Sequence, residues 1–242
     1  MRFLVFLLVA SLAIVDLACA QSIDVGSNAN RPALVGNGPD ALINQIDFRD
    51  LFQKGQKDAG MMFACTVEKS GTISWYSIYR ATPNSDLLQA EVTRRLETAK
   101  FTPALYKKEP VAVVFFGTVV YFVKDGKPHL RIYANQESEE LNKRSDFIGP
   151  QPYFGGESTF SGLNYPYPDL PVPVAGLVDV TMAVDVTGKL KDIQLLSENP
   201  PVLGFGDAAL ASLRFAKFIP AFRNGKPVES KVTLSIYYKP PP

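Results

Sequence analysis

The sequence predicts an α+β fold made of two tandem modules, each with one helix packed on a small antiparallel sheet. Two observations lead to this prediction. Segments 71–111 and 188–228 match at a constant offset of 117 residues, and a constant offset over so long a stretch indicates an internal repeat. Within each copy, apolar residues first alternate as in strands, then recur at helical spacing, then alternate again, which gives the order β-β-α-β.

The clearest match between the copies lies at the end of each helix. Ala-Lys-Phe-Thr-Pro-Ala at 99–104 stands opposite Ala-Lys-Phe-Ile-Pro-Ala at 216–221. The same register pairs five further residues: Val67 with Val184, Pro83 with Pro200, Leu96 with Leu213, Pro110 with Pro227, and Val111 with Val228. Each copy therefore covers one module, from about Gly60 to Val123 and from about Leu177 to Lys239.

The second copy begins with a hairpin. Apolar residues at 178, 180, 182 and 184 alternate with polar or small ones, which is typical of a strand with one buried face. Residues 185–188 carry turn chemistry, with Gly188 able to adopt a positive φ, and a second strand follows through Leu190, Ile193 and Leu195.

A helix and a last strand complete the second copy. Gly206-Asp207 can start a helix whose apolar stripe is Ala209, Leu213 and Ala216, and Pro220 ends it. The last strand then alternates apolar residues: Val232, Leu234, Ile236 and Tyr238.

The first copy repeats this order and adds a strand. Strands are predicted at 61–68 and 73–79, and a helix at 86–99 with an apolar stripe of Leu88, Val92, Leu96 and Ala99. Residues 111–123 are apolar on both faces, which predicts a central strand covered twice. A turn at 124–128 leads to a fourth strand through Leu130 and Ile132. The alternative is that the apolar surplus forms a local dimer seam.

The predicted organisation has five segments: a signal peptide at 1–20, a lead at 21–59, the first module at 60–136, a connector at 137–164, and the second module at 165–242. A short helix is expected at 41–52, with Leu42, Ile46 and Leu51 inward. Aromatic residues crowd the connector region: Tyr133, Tyr153, Phe154, Phe160, Tyr165 and Tyr167. They either form a recognition surface or pin the connector across both modules, and the structural use is favoured.

The first twenty residues read as an export signal. Arg2 precedes an apolar run from Phe3 to Val15, and Ala18-Cys19-Ala20 offers small residues for cleavage, so a periplasmic location without a membrane span after cleavage is expected. The alternative is a lipoprotein anchored at Cys19. After cleavage Cys65 is the remaining cysteine, so no intramolecular disulfide is available.

The residues give little support for catalysis or for a cofactor. The chain has 25 Lys and Arg against 24 Asp and Glu, which argues against a nucleic-acid partner. His129 has no neighbours at ligand spacing, so no metal site is expected, and Cys65 alternates with Phe63 and Val67 as a buried apolar residue. Neither a phosphate loop nor a nucleophile elbow is present, and residues 137–140, Glu-Ser-Glu-Glu, are interpreted as a solvated charge run.

Five features occur in order in the second copy: Tyr-Pro pairs at 165–168, Gly-Leu-Val at 176–178, the hairpin at 184–190, Phe-Ala-Lys-Phe-Ile-Pro-Ala at 215–221, and Asn-Gly-Lys-Pro-Val at 224–228. In this order and spacing they resemble the C-terminal domain of the TonB family over about 75 residues. The first copy resembles that domain more distantly.

The resemblance implies a three-stranded antiparallel sheet backed by a helix, acting without catalysis in the periplasm of Gram-negative bacteria. It also implies that a protein or peptide segment of the cell envelope, such as part of an outer-membrane transporter, adds a strand beside the last strand. Carried onto this chain, the partner-binding residues are Val232, Thr233, Leu234, Ser235, Ile236, Tyr237 and Tyr238, with Tyr165 and Tyr167 from the Tyr-Pro pairs that precede the second module's first strand.

Two departures from that family limit the comparison. The chain has neither an uncleaved N-terminal membrane helix nor a Pro/Lys/Glu-rich spacer, so energy transfer is not expected. Prolines at 240–242 prevent a further strand, which leaves the edge of the last strand open unless the first module covers it. The alternative function is architectural, with the two modules pairing into one sheet or a homodimer without a peptide ligand.

Overall fold

The computed structural model describes residues 29–166 and 174–240, so the predicted signal peptide and Tyr167 lie outside the described residues. The first module and its lead contain α1 (Leu42–Gln45), α2 (Phe48–Gln53), β1 (Ala59–Val67), β2 (Ile73–Ala81), α3 (Asp86–Leu96), β3 (Ala104–Tyr106), β4 (Glu109–Val111), β5 (Val113–Lys124) and β6 (Lys127–Tyr133). The connector contains α4 (Ser138–Lys143) and β7 (Gln151–Pro152). The second module contains β8 (Gly176–Val184), β9 (Leu190–Asn199), α5 (Phe205–Leu213), β10 (Phe218–Ile219), β11 (Ala221–Arg223), β12 (Lys226–Val228) and β13 (Ser230–Tyr238).

The first module is a four-stranded antiparallel sheet in the order β2-β1-β5-β6, which confirms the added fourth strand. Helix α3 covers one face because Leu88, Val92 and Leu96 recur on one side of the helix and are fully buried. The lead joins the same core through Leu42 on α1 and Leu51 on α2.

Strand β5 is central and buried on both faces, as its composition predicts. Val113 and Phe115 face the core under α3, whereas Val114 and Phe116 belong to the core of the second module. At Val114 and Phe116, the apolar back face of β5 is therefore covered by the second module of the same chain.

The second module is a three-stranded antiparallel sheet in the order β13-β8-β9, backed by α5. The alternating residues of β8 point at the helix and are at most 1% exposed: Val178, Val180, Met182 and Val184. They pack against Ala209 and Leu213 of α5 in one core, so the predicted α+β class is confirmed.

The two modules repeat one geometry. Strands β1 and β8 have nine residues each and begin 117 residues apart, at Ala59 and Gly176. The hairpin turns match too: Gly71 has φ +83° and Gly188 has φ +84°. A Cβ at Gly71 would lie 2.2 Å from the carbonyl oxygen of Phe101, and one at Gly188 would lie 1.8 Å from that of Phe218, so only glycine fits either turn.

Three local features differ from the sequence expectations. Helix α5 ends at Leu213 rather than near Pro220, because the chain leaves the helix to form β10, which pairs with β7. The short hairpins β3-β4 and β11-β12 were not predicted. The lead forms two helices instead of one, and Asp47 begins the second by accepting a 2.9 Å hydrogen bond from the Asp50 backbone N–H.

The connector is held by both modules. Glu157 accepts a hydrogen bond from the Lys217 ammonium at 3.0 Å and from Lys107 in the first module. Its aromatic residues are packed rather than free: Tyr153 stacks on Tyr106, Phe154 and Phe160 join the second core, and Tyr165 packs edge-on against Phe205. The favoured structural use of these residues is therefore what the described part of the chain shows.

The two sheets do not merge. Among the described residues, no strand of the first sheet pairs with a strand of the second, and the modules meet through side chains instead. Of the alternative architectural arrangements, the single sheet shared by both modules is therefore not found among the described residues. The reason is that the apolar back face of β5 must be buried, and it meets the second module face-on rather than edge-on.

Candidate functional site

The outer edge of β13 presents backbone groups at alternate residues. The Thr233 N–H donates to the carboxylate of Glu137, so it points away from β8, the paired neighbour of β13. Because orientation alternates along an antiparallel strand without bulges, Lys231, Ser235 and Tyr237 present their backbone groups on the same side. These residues form the edge that an added strand would meet.

The other half of the predicted site serves the core. Val232, Leu234, Ile236 and Tyr238 are at most 4% exposed and belong to the hydrophobic core of the second module. Their side chains pack under α5, so they cannot contact a partner directly in this arrangement. They fix the position of the strand.

The connector and the first module cover the central part of this edge. Glu137 lies against Thr233, and the neighbouring Gln136 is buried with its Nε2 donating to the Tyr79 hydroxyl and, at 3.4 Å, to the Phe63 carbonyl. The Tyr237 ring stacks on Tyr79 at 6.4 Å between centroids. The sequence predicts an open edge unless the first module covers it. In the structure, the central part of the edge is covered.

A groove remains beside the covered edge, with a volume of about 450 Å³. One wall is β13, with Lys231, Thr233 and Ser235, and the opposite wall is the start of α4, with Glu137 and Glu140. The remaining lining residues are Met62, Arg80, Gln136, Ser138, Glu139, Phe147, Arg223, Glu229 and Ser230. The groove is thus bordered by both modules and the connector.

An ionic cluster joins the modules at the end of this groove. Asp179 on β8 accepts hydrogen bonds from the hydroxyls of Ser235 at 2.6 Å and Ser197 at 2.9 Å, and it pairs with Arg80 on β2 at 3.2 Å. Burial opposes ionisation of Asp179, but the two hydroxyls and the guanidinium outweigh it and lower the pKa of this carboxyl. Asp179 therefore links the candidate edge to the first module as an ionised group.

Two glutamates at the start of α4 differ in their electrostatics. Partial burial, together with the nearby carboxylates of Glu140 and Glu139, raises the pKa of Glu137, although the Thr233 N–H opposes this shift. Glu140 has a lowered pKa because Arg223 donates to both of its oxygens, at 2.8 and 3.1 Å. The expected solvated charge run is therefore wrong for Glu137 and Glu140, whereas Glu139 pairs only with the exposed Lys143 among the described residues.

Two buried polar atoms of residues that line the groove lack hydrogen-bond partners among the described residues. They are Gln136 Oε1 and Ser230 Oγ, and each of these two residues is only 8% exposed. Both residues line the groove. A buried polar atom without a hydrogen bond costs free energy, so the packing around the groove is not fully satisfied.

Of the two tyrosines predicted for the site from the Tyr-Pro pairs, Tyr165 lies among the described residues and Tyr167 does not. Tyr165 packs on Phe205, which in turn contacts Tyr238 at 5.4 Å between centroids, and the Tyr165 hydroxyl donates to the Val174 carbonyl at 2.6 Å. Tyr165 thus supports the end of β13 from the core side. The sequence reasoning missed Gln136, Glu137, Tyr79 and Arg80, and no local pattern marks them.

The opposite edge of the sheet, β9, has a different character. Its register with β8 shifts at two places, and Lys191 and Asp192 are exposed on it. Bulges and charges are common devices that keep an exposed edge from pairing. The edge of β13 has no register shift, so the two edges are distinguishable.

The described residues give no sign of a metal site or of a membrane helix. In ranges 29–166 and 174–240, no group of three or more His, Cys, Asp or Glu could hold a metal ion. In the same ranges, no helix is both long and apolar enough to cross a bilayer. Cys65 is buried and its pKa is raised by burial.

Residues 163–240 match the family model described as the C-terminal domain of the Gram-negative bacterial TonB protein. The match covers the second module, including Tyr165, and it confirms the resemblance carried by the motifs of that module. The first module lies outside the matched range. Neither the curated proteins nor the solved structures contain a match to this chain.

Proposed function

We propose, on the premise that residues 163–240 form a TonB C-terminal domain, that this chain is a non-enzymatic periplasmic protein that binds a segment of an envelope protein beside β13. The observation that carries this proposal is the outward orientation of the Thr233 N–H, in an edge strand without register shifts. An added strand would supply the carbonyl oxygens that this edge requires.

The size and lining of the groove support a peptide occupant. Its volume of about 450 Å³ falls within the usual range of small binding sites, about 300–1,000 Å³. Backbone hydrogen bonds to Lys231, Thr233 and Ser235 would give affinity, and contacts between the polar groove walls and the side chains of the partner segment would give specificity. An exposed segment of an outer-membrane transporter fits this description. Tyr165 would position the far end of β13 through its contact with Phe205.

The proposal is tested by a photoreactive amino acid placed in the edge of β13 and in the opposite edge. We expect Lys231 replaced by benzoylphenylalanine to form a discrete adduct with an envelope protein, and Asp192 on β9 replaced in the same way to form none. Thr233→Pro should abolish the adduct, because it removes the outward N–H while leaving the bonds to β8 intact. A folded Thr233→Pro protein that still forms the same adduct would show that edge pairing is wrong.

A second candidate function is architectural, and the shared core of the modules favours it. Phe116 of the first sheet is 5% exposed and packs in the core of the second module. In this case, Phe116→Thr would impair envelope integrity, measured as detergent sensitivity of cells, whereas Thr233→Pro would not. Sedimentation of the purified protein would show whether a homodimer contributes.

A further inference from the structure

The contact between Glu137 and the edge of β13 assigns a regulatory role to the connector. We propose that the Glu137 carboxylate is an internal occupant of the strand-binding edge, so that a partner must displace it. This inference rests on the proposed function, but it concerns a residue outside the range that matches the TonB C-terminal family. Glu137 takes the place that the carbonyl oxygen of an added strand would take, at the central outward N–H of β13.

The connector holds Glu137 in this position through several bonds. The Glu137 backbone N–H donates to Asn135 Oδ1 at 3.1 Å, and its carbonyl accepts the Leu141 N–H at 2.9 Å in the first turn of α4. Asn135 is itself fixed, because its Nδ2 donates to the Phe147 carbonyl at 2.8 Å and its carbonyl accepts from Thr118 at 2.8 Å. The carboxylate is therefore preorganised against Thr233 and does not reach it by chance from a mobile chain.

The same contact carries features that favour its release. Gln136 Oε1 is buried beside it without a partner among the described residues, so opening this contact would hydrate an unsatisfied atom. Glu137 also sits half-buried near Glu139 and Glu140 on its own helix, and Glu229 is the other acidic residue of the groove. Two groove cations are engaged elsewhere, since Arg80 pairs with Asp179 and Arg223 pairs with Glu140, and among the described residues the exposed Lys231 is the remaining cation of the groove. A contact held in place but imperfectly satisfied is suited to displacement.

The test is amide hydrogen exchange of the purified protein, read at single residues by NMR. In Glu137→Ala, we expect the protection factor of the Thr233 amide to fall about 10- to 100-fold, as for loss of a hydrogen bond to a charged group. The Leu234 amide, which faces β8, should change less than about twofold, which shows that the sheet remains intact. Glu139→Ala is the matched control and should leave both amides unchanged. Unchanged Thr233 protection in Glu137→Ala would overturn the inference.

Adduct formation through benzoylphenylalanine at position 231 separates this inference from the proposed function. If Glu137 competes with the partner, Glu137→Ala should raise the adduct yield at limiting partner concentration about tenfold, and Glu137→Gln should raise it less. Equal yields in the wild type and Glu137→Ala would overturn the inference and leave strand addition standing. No adduct in either protein, with Thr233 deprotected in Glu137→Ala, would instead refute strand addition at this edge and, with it, the competition.

Discussion

Strands β5 and β13 hold equivalent places in the two modules, and they differ most on the face turned away from their helices. On that face β5 carries Val114, Phe116 and Thr118, and at the same offset of 117 residues β13 carries Lys231, Thr233 and Ser235. Strand β5 pairs with β1 and β6 and is buried on both sides, whereas β13 pairs only with β8 among the described strands. One scaffold therefore supports a closed central strand in one copy and a polar edge in the other.

The comparison shows which part of the module is free to diverge. The face toward the helix is apolar in both copies, since Phe115 and Val232 are both buried there. The composition of the other face follows its surroundings. On β5 this face is apolar and packs on the second module, whereas on β13 it is polar and lines the groove beside Glu137. A few side chains thus separate a structural copy from a candidate binding copy.

The largest expected effect comes from giving β5 the residue of its counterpart. Phe116→Thr removes a buried ring at the junction of the two modules, and we expect it to lower the free energy of unfolding by about 3 kcal/mol or more. Phe122→Thr, on the same face but part-exposed, should cost about 1 kcal/mol. Urea denaturation followed by circular dichroism measures both. Equal effects would mean that the module junction contributes little.

The next effect tests whether the two hairpin turns are equally constrained. Gly71→Ala and Gly188→Ala each place a Cβ against a backbone carbonyl at positive φ, and we expect each to cost about 2–3 kcal/mol. Gly126→Ala is the control, because its φ is +71° but nothing lies within 4 Å of its Cβ, so only the backbone cost of about 1 kcal/mol remains. A much smaller loss for one of the first two variants would break the equivalence of the modules.

The smallest effect concerns the ionic cluster between the modules. Since the pKa of Asp179 is lowered in the folded protein, its stabilisation is present above its ordinary pKa and is lost as the pH falls through the folded value. We expect Asp179→Asn to cost about 1–2 kcal/mol at pH 7, and the difference from the wild type to shrink below about pH 4. Asp192→Asn on the exposed strand β9 should stay within about 0.5 kcal/mol at both pH values. A difference that does not depend on pH would contradict ionisation of Asp179.

The sequence predicts those parts of the fold that local patterns encode. The alternation in β8, the helical stripe of α3 and the turn glycines Gly71 and Gly188 each repeat 117 residues apart or have a clear period, and all of them are found. The end of α5 was missed because it depends on the pairing of β10 with β7, more than 60 residues earlier in the chain. Such pairing leaves no trace in local periodicity.

The candidate site was less predictable than the fold. The resemblance to a known family predicts binding beside β13, but the state of that edge depends on Glu137, which lies 96 residues away from Thr233 in the chain. In the sequence, Glu137 opens an ordinary charge run, and nothing distinguishes it from Glu139 beside it. The difference arises from tertiary packing alone, which buries one carboxylate and leaves its neighbour exposed.

The matched spacing of the two modules has a consequence for how the chain folds. Strands β1 and β8 have the same length, and each lies between two antiparallel neighbours. An incompletely folded chain could therefore exchange one for the other. The back face of β5 opposes such an exchange, since β8 would bring Asp179 and Thr181 to the face on which β1 carries Met62 and Ala64. Divergence between the copies therefore also protects the chain from pairing with itself in the wrong order.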